Sequence, residues 1–362
     1  MAPAPVTASA TERVRQRALD LGFDAVAIAR ADVALDVDYE RYEEFVRSGM
    51  HGEMDWLARH GPARRRLDTE QVLLGARSIV CVARSYARPL AAESRDPPVA
   101  QAFARYARGK DYHAFLRRKV RRLAAFLRTF GTPGNPVQAR PLCDEEPILE
   151  RAWAARSGLG FVGKNGMLII AGLGSMVLLG EVVTTFELEP DTPIAERCGA
   201  CTRCLDACPT GAFVRPFVLD ARRCISYMTI EQKSPVAAEA RPALGTHLFG
   251  CDDCQTICPF NAATRAAKTG GEGGPFSPLD RWGTTSLEQL VTTDAARWNA
   301  LSAGSPLRRA GRVHAARCAA IVLANRRDHS ALPALRHAAQ HHDDATVRAT
   351  AEWAIARIVA ED

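Results

Sequence analysis

The sequence predicts a multidomain protein: a mixed α/β region first, a cysteine-rich metal-binding region next, and an all-α tail last. Three observations carry this. Strand-like and helix-like periodicities alternate through the first 185 residues. Eight of the eleven cysteines fall between Cys198 and Cys258. From Pro306 to Ile358 the composition turns to Ala, Leu and Arg in paired helical patterns. The boundaries follow as residues 1–185, 186–268 and 280–362, with the Gly- and Pro-rich stretch Thr269–Pro278 as the linker into the tail.

In chain order, Val14, Ala18 and Leu21 recur at helical spacing from Thr11 to Leu21, and Gly22 suits the position after a helix end. Phe23–Arg30 reads as a strand, Tyr39–Ser48 as a helix, and Arg77–Tyr86 as a second strand containing a core thiol, Cys81. Lys110–Phe130 is the clearest helix, with Leu116, Val120, Leu123, Leu127 and Phe130 on one stripe and Gly131 after it. Its other face carries Arg117, Arg118, Lys119, Arg121 and Arg122, which serve either as a solvated face or as a phosphate-binding one. Val137–Leu142 reads as a strand, and Pro147 suits the first position of a helix running to Ser157. Met167–Ile170 and Met176–Thr184 read as further strands.

Gly158-x-Gly160-x-x-Gly163 has dinucleotide-loop spacing, but it follows a helix and precedes a strand, whereas a nucleotide-binding loop requires the reverse order. A tight glycine-rich turn is the expectation. The tail divides into Arg312–Ala324, Leu332–Gln340 and Thr346–Val359, either a HEAT-type element or a plain helical cap, with Cys318 packed inside it.

The first cysteine run is Cys198-x2-Cys201-x2-Cys204-x3-Cys208-Pro209, the bacterial spacing for iron–sulfur ligation, in which the fourth thiolate serves the other cluster of a pair. The second is Cys251-x2-Cys254-x3-Cys258-Pro259, one thiolate short, and Cys224 between the runs supplies it. One four-iron site then takes Cys198, Cys201, Cys204 and Cys258, and the other takes Cys208, Cys224, Cys251 and Cys254. Structural zinc uses four ligands in paired knuckles, not eight in this crossed order. A disulfide framework needs a secreted context that nothing in the sequence marks.

Met1–Ala10 lacks the basic start and apolar run of a signal peptide, and no segment is apolar enough to span a membrane. With thiolates held for metal, a cytoplasmic location is expected. Lys and Arg number 47 against 41 Asp and Glu, a net +6 that permits an anionic partner without requiring one.

The order of these parts resembles the epoxyqueuosine reductase family. The resemblance is carried by His51-Gly-Glu-Met-Asp-Trp56, by Arg105-Tyr106-Ala-Arg-Gly-Lys-Asp-Tyr-His113, by Pro147-Ile-Leu-Glu-Arg151 with Gly158 to Asn165, by Cys224-Ile-Ser226-Tyr227, and by Gly250 to Asn261. It implies a nitroreductase-like α/β cobalamin domain, a ferredoxin-like domain with two [4Fe-4S] clusters and a HEAT-like C-terminal domain. The implied reaction is reduction of the epoxide of epoxyqueuosine at the wobble position of tRNA, with a flavodoxin or ferredoxin as electron donor.

The family's proton donor is the Asp of a short segment ahead of the Leu-Glu-Arg helix, and Asp144 stands there. In this chain two small neighbours of that Asp are Glu145 and Glu146. Three adjacent carboxylates are expected to raise the pKa of the most buried one, or the two glutamates cap the helix at Pro147. Arg66, Tyr106, Lys164 and Ser226, together with Asp144, are the residues the resemblance places around the cobalamin or the anticodon loop. Arg117 to Arg122, with Arg308, Arg309, Arg312 and Arg317, become candidate phosphate contacts to the tRNA anticodon stem-loop. Two other readings of the same residues are a cobalamin-dependent reductase of a small molecule and an electron carrier with a helical docking surface.

Overall fold

The computed structural model describes residues 8–262 and 274–360. Residues 1–7 of the expected frayed start and 269–273 of the expected linker lie outside the described residues. The chain divides into two compact units, neither of them one run of sequence. Among the described residues, the first holds 8–48, 56–85 and 113–201, and the second holds 49–55, 86–112, 202–262 and 274–360.

In the first unit, α1 (Ala10–Asp20) begins where Ser9 Oγ accepts the Glu12 N–H at 3.2 Å, and it buries Val14 and Ala18. A four-stranded antiparallel sheet follows, in the order β1 (Ala25–Arg30), β2 (Ser78–Ser85), β6 (Val177–Thr184), β3 (Ala139–Leu142). β2 is buried along nearly its whole length, which is why it reads as an unbroken apolar run rather than an alternation. α2 (Asp36–Arg47) lies between β1 and β2 in sequence. The long helix α3 (Tyr112–Arg128) buries Leu116, Val120, Leu123, Ala124 and Leu127. It reaches the sheet at Gly180 of β6, where any Cβ would come within 2.9 Å of Val120 Cγ1.

The glycine-rich stretch is a hairpin. β4 (Phe161–Val162) pairs with β5 (Leu168–Ile169), and the turn closes through Gly163 N–H to Met167 O at 2.9 Å and Gly166 N–H to Gly163 O at 2.8 Å. The helix expected from Pro147 starts three residues later, as α4 (Glu150–Arg156). Residues 143–148 instead form two tight turns, with Glu145 N–H on Cys143 O and Ile148 N–H on Glu146 O, both at 2.8 Å. Asp144 in this loop takes φ of 66°, left-handed backbone that a helical start cannot contain. The expected capping by Glu145 and Glu146 is therefore replaced: Glu146 Oε2 accepts the Cys143 N–H, and Glu145 pairs with Arg117.

Among the one-turn helices of the second unit are α5 (Arg203–Asp206) and α7 (Asp253–Thr256), with α6 (Ile225–Ile230) between them. A small hairpin joins β7 (Phe213–Arg215) to β8 (Val218–Leu219). Its tail holds α8 (Leu287–Val291), α9 (Ala295–Ser302), α10 (Gly311–Asn325), α11 (Leu332–His341) and α12 (Ala345–Val359). Every residue of α10 from His314 to Ala324 is buried, so it is a core helix surrounded on all sides. Its core also contains Val99, Phe103, Leu248, Phe249 and Trp282, and Trp282 Nε1–H donates to Arg108 O at 2.9 Å. Cys81 and Cys318 are both buried, as read from sequence, and burial pushes the Cys318 thiol up to about 12.

Among the described residues, no helix is long and apolar enough to cross a membrane. Truncating Leu123, which has no exposure in the seam of α3, should cost about 2–5 kcal/mol as Leu123→Ala, read from the urea midpoint at unchanged slope.

Candidate active site and metal centre

Asp144 sits just past the end of β3, on the first of the two tight turns. Its Oδ2 lies 2.7 Å from His113 Nε2, at the start of α3, and its side chain is 44% exposed, so an outside group can reach the carboxyl. The backbone N–H of the same residue donates to Glu150 Oε1 at 2.8 Å, which ties the turn to the first residue of α4. His113 was present in the sequence only as part of a longer motif, and its pairing with Asp144 depends on α3 and β3 meeting at that end.

Two carboxyls behind the Asp144 turn are raised, Glu150 and Glu181. Burial first, and then the charge of Asp144, pushes Glu150 up to about 7. Glu181 has no solvent exposure, sits in β6 between Cys81 of β2 and Leu142 of β3, and is pushed well up by burial and by Glu150. The two carboxyls lie within hydrogen-bonding reach of each other. Their charges, after burial itself, also drive up the thiol of Cys143, the residue before Asp144. A lone acid inside the apolar run Met176–Thr184 was the signal in the sequence that marked Glu181.

Lys164, at the hairpin tip, donates from Nζ to the carbonyls of Gly199 at 2.5 Å and Cys201 at 3.0 Å, so its ammonium braces the first cysteine run. Arg66 is exposed after a short helical turn in the same unit. Tyr106 belongs to the second unit, inside a group of rings: Tyr112 at 5.9 Å, Tyr86 at 6.3 Å and Phe249 at 6.4 Å between centroids. Ser226 is half-buried in α6.

Of the basic residues, Arg118, Arg121 and Arg122 are exposed on α3. Lys119 is turned inward: Nζ donates to Leu21 O at 2.5 Å, and burial lowers its pKa. Arg317 is buried with its guanidinium on Lys233 O at 3.1 Å, and Arg312 is committed to Asp343 at 2.5 Å. These last three do not fit the phosphate contacts expected of them, because an Arg-rich run says nothing about which side chains the core and its acids recruit. Arg309 pairs with Glu231 at 2.6 Å, and Arg308 is exposed.

The two cysteine runs repeat one local conformation. Thr202 and Asp252 precede α5 and α7 with near-identical backbone angles (φ −122°, ψ 5° and φ −113°, ψ 8°). After each helix the chain closes with Cys208 N–H on Leu205 O at 3.3 Å and Cys258 N–H on Gln255 O at 3.1 Å. Cys204, Cys208, Cys224, Cys251, Cys254 and Cys258 belong to the second unit, and Cys198 and Cys201 to the first, where Cys201 N–H meets Cys198 O at 3.0 Å.

Within the second unit burial first, and then neighbouring sulfurs, raise Cys224, Cys251 and Cys254, with Cys208 among the neighbours that act on Cys224 and Cys254. Three thiols that burial would keep protonated, with Cys208 beside them, suit a metal, which displaces those protons and compensates the thiolates. His247 Nε2 lies 3.0 Å from Asp253 Oδ2 and 3.8 Å from Cys251 Sγ, so it can donate to only one of them at a time.

A family model described as a 4Fe-4S double cluster binding domain matches residues 197–261, which span these eight cysteines, so the chain carries an iron–sulfur domain of that class. A second model, described as epoxyqueuosine reductase QueG, DUF1730, matches residues 66–144 and ends on the aspartate. The epoxyqueuosine reductase of Gloeobacter violaceus is 42% identical over 301 residues, covering 82% of this chain and 90% of that one. The crystal structure of an epoxyqueuosine reductase with a tRNA-Tyr epoxyqueuosine-modified stem loop superposes with a TM-score of 0.83 at 31% identity, over 96% of this chain and 89% of that one. The Bacillus subtilis epoxyqueuosine reductase, in a structure with its catalytic aspartate loop swung out of the active site, gives 0.83 at 32% identity over 96% and 90%. The chain belongs to the epoxyqueuosine reductase family.

Glu150 holds a proton in the folded chain that it releases when unfolded, so its share of the stability is present below about pH 4.5 and is lost as pH rises to about 7, while His314, lowered to about 4 by burial, gains its share between about 4 and 6.5. The Glu150 share should therefore appear as a difference in urea midpoint between wild type and Glu150→Gln that changes across pH 4.5 to 7.

Proposed function

We propose that this chain reduces the epoxide of epoxyqueuosine at the wobble position of tRNA to queuosine, using two [4Fe-4S] clusters and a cobalamin, with Asp144 as the proton donor. The observation that carries the reading is the His113–Asp144 pair on a left-handed turn, half open to the outside, at the end of the segment that matches the family model. The stem-loop complex of a relative at 31% identity supports a tRNA substrate, and the double cluster match supports an iron–sulfur electron supply.

Loss of an epoxide oxygen as water consumes two electrons and two protons. The clusters and corrin, when bound, supply the electrons. Cys208, Cys224, Cys251 and Cys254 are the ligands proposed for one cluster, and Cys198, Cys201, Cys204 and Cys258 for the other. Arg66, Tyr106, Asp144, Lys164 and Ser226 are proposed to line the corrin or the anticodon loop; of these, Lys164 acts through the backbone of the first cysteine run.

Asp144 carries the transferable proton on Oδ1, while its Oδ2 accepts from His113 Nε2–H. When the Oδ1 proton passes to the departing oxygen, the new carboxylate keeps the Nε2–H donor, and that hydrogen bond strengthens as charge develops. Glu145 is drawn aside by Arg117 and Glu146 is occupied by the Cys143 N–H, so Asp144 is the member of the triplet that pairs with His113.

Phosphate contacts fall to the exposed Arg118, Arg121 and Arg122, and the donor of electrons is a flavodoxin or ferredoxin. A small-molecule reductase and a bare electron carrier remain the alternatives that the assay separates.

The test is conversion of epoxyqueuosine in a tRNA stem-loop by chain reconstituted with iron, sulfide and cobalamin. Asp144→Asn should keep iron and corrin content but lose about 10²- to 10⁴-fold in turnover. Turnover of a halogenated phenol without any conversion of the stem-loop would instead favour the small-molecule reading. Replacing Arg118, Arg121 and Arg122 together by Ala should weaken stem-loop binding and lower the slope of log affinity against log salt, by about 0.7 to 0.9 for each phosphate no longer neutralised.

A further inference from the structure

The Asp144 turn is held from behind by a carboxyl that is itself paired with a second carboxyl, and the proposed reaction uses neither. Glu150 Oε1 receives the Asp144 N–H at 2.8 Å. Glu181 has zero exposure, and neither of its oxygens receives a hydrogen bond from an N–H or hydroxyl among the described residues, while the Glu150 carboxyl lies within reach of it. The groups facing the pair are mostly acidic: Asp144 and Glu146 from the turn, Cys143 from the end of β3 and Cys81 from β2. Of the basic groups around the pair, Arg151 spends its Nη1 on Gly166 O, Arg117 is paired with Glu145 and His113 with Asp144. Two ionised carboxylates cannot share that space, and two neutral ones would leave the Asp144 N–H with a weaker acceptor.

We propose that Glu150 and Glu181 share one proton at neutral pH, with the proton lying toward Glu181 and the charge toward Glu150 Oε1, and that this pair is the positioning device for Asp144. The ionised Glu150 oxygen makes a charge-assisted hydrogen bond to the Asp144 N–H, holding the left-handed backbone that points the Asp144 carboxyl at His113. Glu181 keeps its partner singly charged by supplying the O–H between them. The pair acts through Asp144 and does not itself touch substrate. At higher pH, loss of the shared proton drives the two carboxylates apart and releases the turn.

This deepens the proposed function and rests on it only for the turnover measurement. The experiment uses the full chain as wild type, Glu181→Gln, Glu150→Gln and Glu150→Ala. Infrared difference spectra should show the carbonyl band of one protonated carboxyl in the wild type at neutral pH, absent in Glu181→Gln. Hydrogen exchange should show the amides of residues 143–146 protected in the wild type and Glu181→Gln, and opened at least about tenfold in Glu150→Ala.

Turnover of the stem-loop should drop by about a hundredfold in kcat for Glu150→Ala with KM little changed, since misplacement of a catalytic group by about 1 Å has that effect. Glu150→Gln, which still offers an oxygen to the N–H, should recover part of it. Glu181→Gln, whose amide donates permanently, should move the alkaline limb of the pH profile upward. Absence of the protonated band in the wild type, or unchanged loop exchange in Glu150→Ala, would overturn the proposal. A wild type that converts no stem-loop while showing both spectroscopic signatures would sink the functional reading and leave the pair standing.

Discussion

Burying one acid beside another is the constraint on which the first unit turns. β6 carries Glu181 into the middle of an apolar sheet, and α4 brings the half-buried Glu150 against it, where two charges would repel each other. The sheet accepts this because the strands on either side are filled by Cys81, Val82 and Leu142, and because one carboxyl finds a fixed N–H in the adjoining turn. The same N–H belongs to Asp144. The most awkward polar feature of the fold is thus hydrogen-bonded to its best placed acid, which fits the tendency of perturbed groups to gather where chemistry is done.

The second unit solves a different problem. Short cysteine runs have too few residues to build a core, so each is wound into a single helical turn closed by backbone hydrogen bonds, with Pro209 or Pro259 following. Repeating one conformation twice, with Cys224 contributed by the stretch between, gathers thiols that burial alone would keep protonated. The long core helix α10 then provides the apolar mass that these loops lack.

Most elements were legible because their signals are local. The stripe of α3, the apolar run of β2 and the spacing within each cysteine run lie within about twenty residues, and hydrophobic periodicity or ligand geometry reads them directly. The helix at Pro147 was misplaced because propensity favours Pro at a first turn, whereas the chain there bends to meet Glu150 and Arg117. Lys119, Arg312 and Arg317 were read as part of basic faces, yet carbonyls and acids remote in sequence draw them inward. Charge counts along a chain cannot foresee that.

By itself the sequence determined the chemistry available: eight cysteines in two runs and the stretch between them, an aspartate ahead of a Leu-Glu-Arg segment, an α/β start and a helical tail. Those follow from residue type and spacing, which are properties of the chain before it folds. Only tertiary structure decided that His113 meets Asp144, that Glu150 and Glu181 become neighbours, and that residues 49–55 and 86–112 join the second unit rather than the first. The reason is that contacts across tens of residues depend on how the sheet and helices close on each other, and burial, not sequence position, then sets which charges survive.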